Sequence, residues 1–502
     1  MKTLKTKLFL FFLLLSLLPV FSSAKAFPKD LVVAQQADPK TLDPAATIDV
    51  YSHNINLSIY DRLFDWSSEM KAEPSLAERY EQKDPTTLYI KLREGVKFHN
   101  GDELTAEDVK FSLERAAKAP ASMTFFASIE KVDILSKYEV NIITKTPYGP
   151  LISSLAHACG SILSKKYVES GNPNIFFEPV GTGPFKFDSW KVSDRIILTA
   201  NKDYFGGAPY VERLVFRNIP EGVSRAIALE TGEIDMVLAV DITDRGRIEE
   251  NPHLVLHSTP SLGLNFIGLN CEKGPTSDVR VRQAIQMTIN STDIADAAYN
   301  KRAMPTYTVI PPGVLGYEKL PPYELSVEKA KKLLADAGYP NGLKLRFWTN
   351  ENQSRKDTAV ILQEQLRAIG IELSIEILEW SAYIEKISKV EQDLYMLGWP
   401  GATDPDGCLY PMFHSSNKGS AGNMSFYDNK KVDELLDKGR TSVDPAERES
   451  AYREAAKIIR EEVGVYALVI PNVAVGAQDY LEGFFAYPTF MHLFKNVKKN
   501  LK

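Results

Sequence analysis

The chain has 502 residues, 44% hydrophobic and 25% charged, with a net charge of −6 at neutral pH. That acidic balance leaves no basic excess to neutralise phosphates, which argues against a nucleic-acid partner. The length predicts two or three domains and enough buried surface to need no disulfide staples.

The first residues carry Lys2, Lys5 and Lys7, then an apolar run over 8–21 broken only by Ser16 and Pro19. Ala24-Lys25-Ala26 follows as a small-residue cleavage site before Phe27. This reads as a secretory signal peptide over 1–26, too short for a comfortable membrane span. No cysteine lies near the cleavage site, so no lipid anchor is expected and the mature chain should be exported and soluble. Processing would remove four lysines and no acid, moving the net charge from −6 to −10.

Along the mature chain, Leu31-Val32-Val33-Ala34 predicts a strand and Thr41-Leu42-Asp43-Pro44-Ala45 a turn. Ile55, Ile59 and Leu63 have helical spacing over 55–64, and Leu88 to Leu92 alternates like a strand. Val96 to His99 predicts another strand, closed by Asn100-Gly101. Thr105 and Asp108 form a near capping box for a helix striped by Val109, Leu113 and Ala116. Two strands are expected over 132–143. Gly181-Thr182-Gly183 precedes a strand and lacks a third glycine, so it reads as backbone geometry rather than a phosphate loop. Strands over 195–199, 211–217 and 234–237 frame a helix over 225–231.

From the alternating stretch 261–270 onward the pattern becomes regularly α/β. Helices are expected over 279–289, from Ser326 to Gly338, and over 357–369, with strands over 344–348 and 371–378. That alternation predicts βαβ units and a largely parallel sheet. Asp444-Pro445-Ala446-Glu447 starts a further helix, and 465–475 reads as a strand leading out of the block. The expected fold class is therefore α/β, with a mixed α+β first lobe and an α/β second lobe. Chain crossings are expected near 262 and 476.

The most informative stretch is 397–416, LGWPGATDPDGCLYPMFHSS. A buried strand breaks there into a rigid loop carrying Trp399, Asp404, Asp406 and later His414. Loops at strand ends are where binding groups gather, although Asp404-Pro405-Asp406-Gly407 also suits an ordinary turn.

Several segments, in order, resemble the large extracellular solute-binding proteins of ABC importers, the family 5 dipeptide, oligopeptide and nickel group. They include IYDRLF (59–64), YIKLREGVKFHNGDELTAEDVKFSLERA (89–116), PVGTGPFKF (179–187), NKDYFGGAPYVERLVFRNIPEGVSRAIALETGEIDM (201–236), SDVRVRQAIQMTIN (277–290), LQEQLRAIGIEL (362–373) and GWPGATDPD (398–406). The resemblance covers the whole mature chain. It implies a two-lobed clamp with a ligand cleft and a hinge. One lobe would be 27–262 plus 477–502, with an inserted subdomain at about 56–180; the other would be 263–476. It also implies a monomer that delivers its cargo to ABC permease subunits and needs no cofactor.

In peptide-carrying relatives an acid holds the ligand's ammonium and an arginine its carboxylate, bonds roughly twice as strong as neutral ones. The resemblance places Arg355 in the carboxylate-binding loop. Trp399 would be a stacking wall, and Gly263, Asn265 and Leu42 lie in cleft-lining segments. Ala402 occupies the position nearest the expected ammonium-binding acid; Asp404 or Asp406 could replace it. The implied ligand is a di- or oligopeptide. Alternatives are an oligosaccharide, an opine-like solute or a metal chelate such as nickel. Metal carriage has weak support, since only His414 lies near the loop, and an EF-hand register would put Ala402 at position 1 and Phe413 at position 12. Cys159, Cys271 and Cys408 allow at most one disulfide and show no metal-type spacing. No hydrolase or phosphate-loop motif points to an enzyme.

Overall fold

A computed structural model describes residues 30–419 and 422–500, so the expected signal peptide lies outside the described residues. Twelve strands form one continuous sheet that runs through both lobes. Its continuity depends on a single 14-residue strand, Val465–Gln478. Residues 465–469 of this strand pair antiparallel with Leu264–Leu269, and 472–478 pair antiparallel with Leu254–Pro260. The exchange of partners falls at Pro471, which has no N–H to give a ladder. The Pro471 carbonyl instead accepts from Ser261 N at 3.0 Å, so these two segments lie side by side. Pro471-Asn472, the two half-buried residues in an otherwise buried strand, mark where its neighbours change.

The second-lobe sheet is mixed rather than largely parallel. Leu343–Asn350, Ile371–Leu378 and Leu394–Trp399 are mutually parallel, but Leu264–Leu269 and Val465–Gln478 run antiparallel to their neighbours. The βαβ alternation is present in 343–399, and the strands that return antiparallel to complete the sheet share its apolar pattern. Separate apolar cores cover the two faces of this sheet, one under Leu409, Tyr452 and Ile459, the other under Ile285, Leu362 and Leu366.

In the first lobe, Asp30–Gln35 pairs parallel with both Arg213–Asn218 and Met236–Val237. A four-stranded antiparallel sheet, with Thr87–Leu92 and Glu139–Thr144 at its centre, packs separately against the helix Ala106–Ala116. The predicted box is present: Asp108 Oδ2 accepts from Thr105 N at 2.9 Å, which satisfies an otherwise orphaned donor.

Three local expectations shift. The helix predicted over 55–64 is Val50–Ile59, capped by Asp49, whose side chain accepts from Ser52 N at 2.9 Å. Its end is set from outside: Gly183 N donates to Ile59 O at 2.8 Å, and a Cβ on Gly181 would lie 2.0 Å from that oxygen. The glycine loop is therefore a close backbone approach, as its sequence suggested. Residues 96–98 form only a short arm, bridged from Lys97 to Glu103 across a tight turn in which Gly101 N donates to Phe98 O at 2.9 Å, instead of a strand. The turn at 404–407 opens a helix, Asp406–Phe413, with Pro411 inside it. All three cysteines are free.

Candidate ligand-binding site

Leu343–Asn350 and Leu394–Trp399 are parallel and end at the same edge of the second lobe. Leu264–Leu269 starts at that edge, in a register that sets Asn265 opposite Gly398 and Leu264 opposite Trp399. Open α/β sheets place ligand sites outside the carboxyl ends of their strands. Four of the sequence candidates meet there: Gly263, Asn265, Trp399 and Arg355.

Arg355 lies in the first turn of the helix Gln353–Arg367, whose cap Asn352 accepts from Arg355 N at 3.2 Å. A cation at a helix N-terminus opposes the local dipole, so two positive fields overlap at one point. Its Nη1 donates to Asn350 Oδ1 at 3.1 Å, and the guanidinium lies 5.9 Å from the Trp380 ring centre. Among the described residues no carboxylate pairs with it. Asn265 Nδ2 donates to the Tyr299 hydroxyl at 2.9 Å. Gly398 makes room for both side chains: a Cβ there would lie 2.5 Å from Asn265 Oδ1 and 3.2 Å from Arg355 Nη2. Burial raises the Tyr299 phenol, which keeps it a neutral partner.

The Trp399 indole is half-buried, and its Nε1 donates to Gly407 O at 3.2 Å, which ties the ring to the following loop. Gly401 presses that loop on the crossing segment; a Cβ there would lie 2.4 Å from Leu262 Cβ. Gly263 sits under the Trp399 carbonyl, 3.3 Å from where its own Cβ would be.

The other candidates lie elsewhere. Asp404 is buried, and both of its oxygens accept from Arg448 Nη2, at 2.7 and 2.8 Å. It also accepts from Asp406 N at 3.0 Å and from Ser153 Oγ of the first lobe at 3.3 Å. Asp406 accepts a two-pronged bond from Arg440 Nε and Nη2, each at 2.9 Å, while burial pushes its carboxyl up. Leu42 is fully buried in the first-lobe core; its carbonyl accepts from the Tyr60 hydroxyl at 3.2 Å. His414 stacks on Tyr410 at 4.4 Å, against the helix Lys430–Thr441. Three participants, Gly398, Tyr299 and Asn350, were not singled out from sequence. Gly398 carried the one readable signal, a glycine inside an otherwise bulky strand end.

Residues 71–420 match the profile of the bacterial extracellular solute-binding proteins, family 5 Middle. The glutathione-binding protein GsiB of Escherichia coli (strain K12) is 31% identical over 474 residues, 92% of each chain. HbpA2 from Haemophilus parasuis is similar in structure, with a TM-score of 0.87 at 30% identity, covering 94% of this chain and 100% of that one. DppA from Helicobacter pylori, in complex with the peptide STSA, gives a TM-score of 0.73 at 31% identity, covering 94% and 98%. The profile spans most of the chain and the relatives nearly all of it: this protein belongs to family 5 of the bacterial extracellular solute-binding proteins.

Proposed function

We propose that this protein is an exported, periplasmic receptor that encloses a short peptide between its lobes and delivers it to an ABC permease. The observation that carries this reading is Arg355. It is a guanidinium at a helix N-terminus, beside the Asn265 amide and the bare backbone of Gly398, with no carboxylate partner among the described residues. That combination suits the terminal carboxylate of a ligand, held by charge-assisted bonds. Trp399 and Trp380 supply apolar walls nearby. GsiB and DppA support the peptide class by what they bind.

Asp404 and Asp406 act, on this reading, as structural partners of Arg448 and Arg440, and Asp404 also accepts from Ser153 of the other lobe. Each already compensates an arginine, so neither is available to an incoming ammonium without breaking a buried pair. Ala402 adds no charge. Recognition then leans on the carboxylate end. This favours ligands rich in carboxylate and leaves a second reading, a non-peptide anionic solute, in the same clamp.

We take one lobe as 27–262, with an inserted unit at about 56–180, plus the chain after Pro471, and the other as 263–471. The hinge is the paired crossing at Ser261 and Pro471. A ligand shifts closure only by its better contacts in the closed form. At nearly equal identity, the higher TM-score with HbpA2 than with peptide-bound DppA is what a difference in lobe angle would produce.

The test is calorimetry with di-, tri- and tetrapeptides and their carboxy-terminal amides. Free-acid peptides should bind, their amides should lose affinity roughly tenfold or more, and Arg355→Ala should erase that preference. Equal binding of acid and amide would defeat the carboxylate assignment. Binding of only non-peptide acids would establish the second reading.

A further inference from the structure

Behind the cleft, in the first lobe, three donors converge that the peptide reading does not use. His53 is on the helix Val50–Ile59, and His157 and Cys159 flank Ala158 at the 3-10 turn Ala158–Gly160. One donor atom from each residue lies within 4.8 Å of the other two. His53 Nε2 is 3.7 Å from Cys159 Sγ, and both residues are 1% exposed. The two imidazoles stand edge to face at 5.6 Å, and Phe125 backs His157 at 3.9 Å in a parallel stack. The packing therefore fixes the ring directions. His53 presents Nε2, not Nδ1, to the Cys159 thiol, so the ring edge that meets the other two residues carries a nitrogen lone pair or its proton.

We propose that His53, His157 and Cys159 form a site for a soft monovalent metal ion, Cu+. Thiolate and imidazole are the donors such an ion prefers. Charge balance selects it over a divalent ion: one thiolate neutralises Cu+, whereas Zn2+ would leave a net positive charge buried near the Arg62 guanidinium. On binding, a Cu–S bond replaces the S–H bond and the proton leaves to solvent. The Cys159 thiol gives up its contact with Thr47 O, 3.3 Å, and His157 Nδ1 gives up the 3.2 Å bond it accepts from Cys159 N. No electron is transferred. A small cavity of about 30 Å³ lies beside the cluster, bordered by His157, Trp66, Tyr487 and Thr403 of the Trp399 loop.

The inference stands apart from the peptide reading and is tested without peptide. The full protein is titrated anaerobically with Cu+, kept reduced by ascorbate, against a Cu+ chelator, and the loaded protein is examined at the copper K-edge. One equivalent should be retained, with one sulfur and two imidazole nitrogens around the ion. Cys159→Ala and His157→Gln should each weaken retention roughly tenfold or more, and His414→Gln should leave it unchanged. Failure to retain Cu+, a shell without sulfur, or equal competition by Zn2+ would overturn the assignment. If the variants fail to fold, the absorption spectrum of the unaltered protein decides by itself.

Discussion

Asp404 is the residue on which the sequence and the three-dimensional arrangement pull furthest apart, and Arg448→Met separates the two roles open to it. The Asp404 and Arg448 side chains are 10% and 8% exposed, with the guanidinium 2.7 Å from the carboxylate. Two unit charges about 4 Å apart attract by about 4 kcal/mol at an effective dielectric of about 20. Removing one member also strands the other in a dry site, so Arg448→Met should cost about 3–5 kcal/mol. The variant also loses the Nε bond to Gly439 O, 2.8 Å. Urea unfolding followed by near-ultraviolet circular dichroism measures the loss. Asp404→Asn combined with Arg448→Met should recover most of it, because the unpaired charge is then gone. Peptide affinity of folded Asp404→Asn should stay within about threefold of the parent, since the ligand does not need that carboxylate. A cost below about 1 kcal/mol for Arg448→Met, or a large affinity loss in Asp404→Asn that remains folded, would refute the reasoning and restore Asp404 as a ligand anchor.

Gly398→Ala puts a methyl 2.5 Å from Asn265 Oδ1 and 3.2 Å from Arg355 Nη2, so peptide affinity should fall by at least roughly tenfold while the melting temperature moves little; unchanged affinity in calorimetry would count against the site. Trp399→Ala should weaken binding by about 1–3 kcal/mol through lost apolar contact; intrinsic fluorescence on ligand addition, quenched or shifted in the parent, should lose that change in the variant. His492 is fully buried and its imidazole is pushed down to about 3 by burial. The unfolded chain takes up that proton near pH 6.5 and the folded chain does not, so stability present above pH 6.5 is lost as pH falls toward 3. Urea midpoints should decline across that window, and His492→Leu should flatten the slope. Small-angle scattering should show compaction with any ligand that binds; an unchanged radius would remove the hinge at Ser261 and Pro471.

Much of this protein was legible in the amino-acid order because the governing physics is local. Thr105 with Asp108, Ser326, and Asp444 before Pro445 mark helix starts, since capping satisfies donors within one turn. The strand 371–378 is legible for a similar reason: its pattern and its bounding glycine lie within a few residues. The α/β class follows from the same local rules, and the resemblance that gave the clamp rested on contiguous motifs. Trp399 could be nominated from the motif at 398–406, and Arg355, Asn265 and Gly263 from segments that the resemblance places along the cleft. What only the tertiary structure decided was which side chains are already committed. Asp404 and Asp406 look identical to free acids in sequence, and the arginines that compensate them come 44 and 34 residues later, from helices that pack on their loop. Val50–Ile59 ends where a glycine loop more than a hundred residues away touches its last carbonyl. Val465–Gln478 exchanges one set of neighbours for another within a single sheet, and His53 meets Cys159 across 106 positions. Such pairings depend on the closing of long loops around a shared core, and no short window of sequence carries that information.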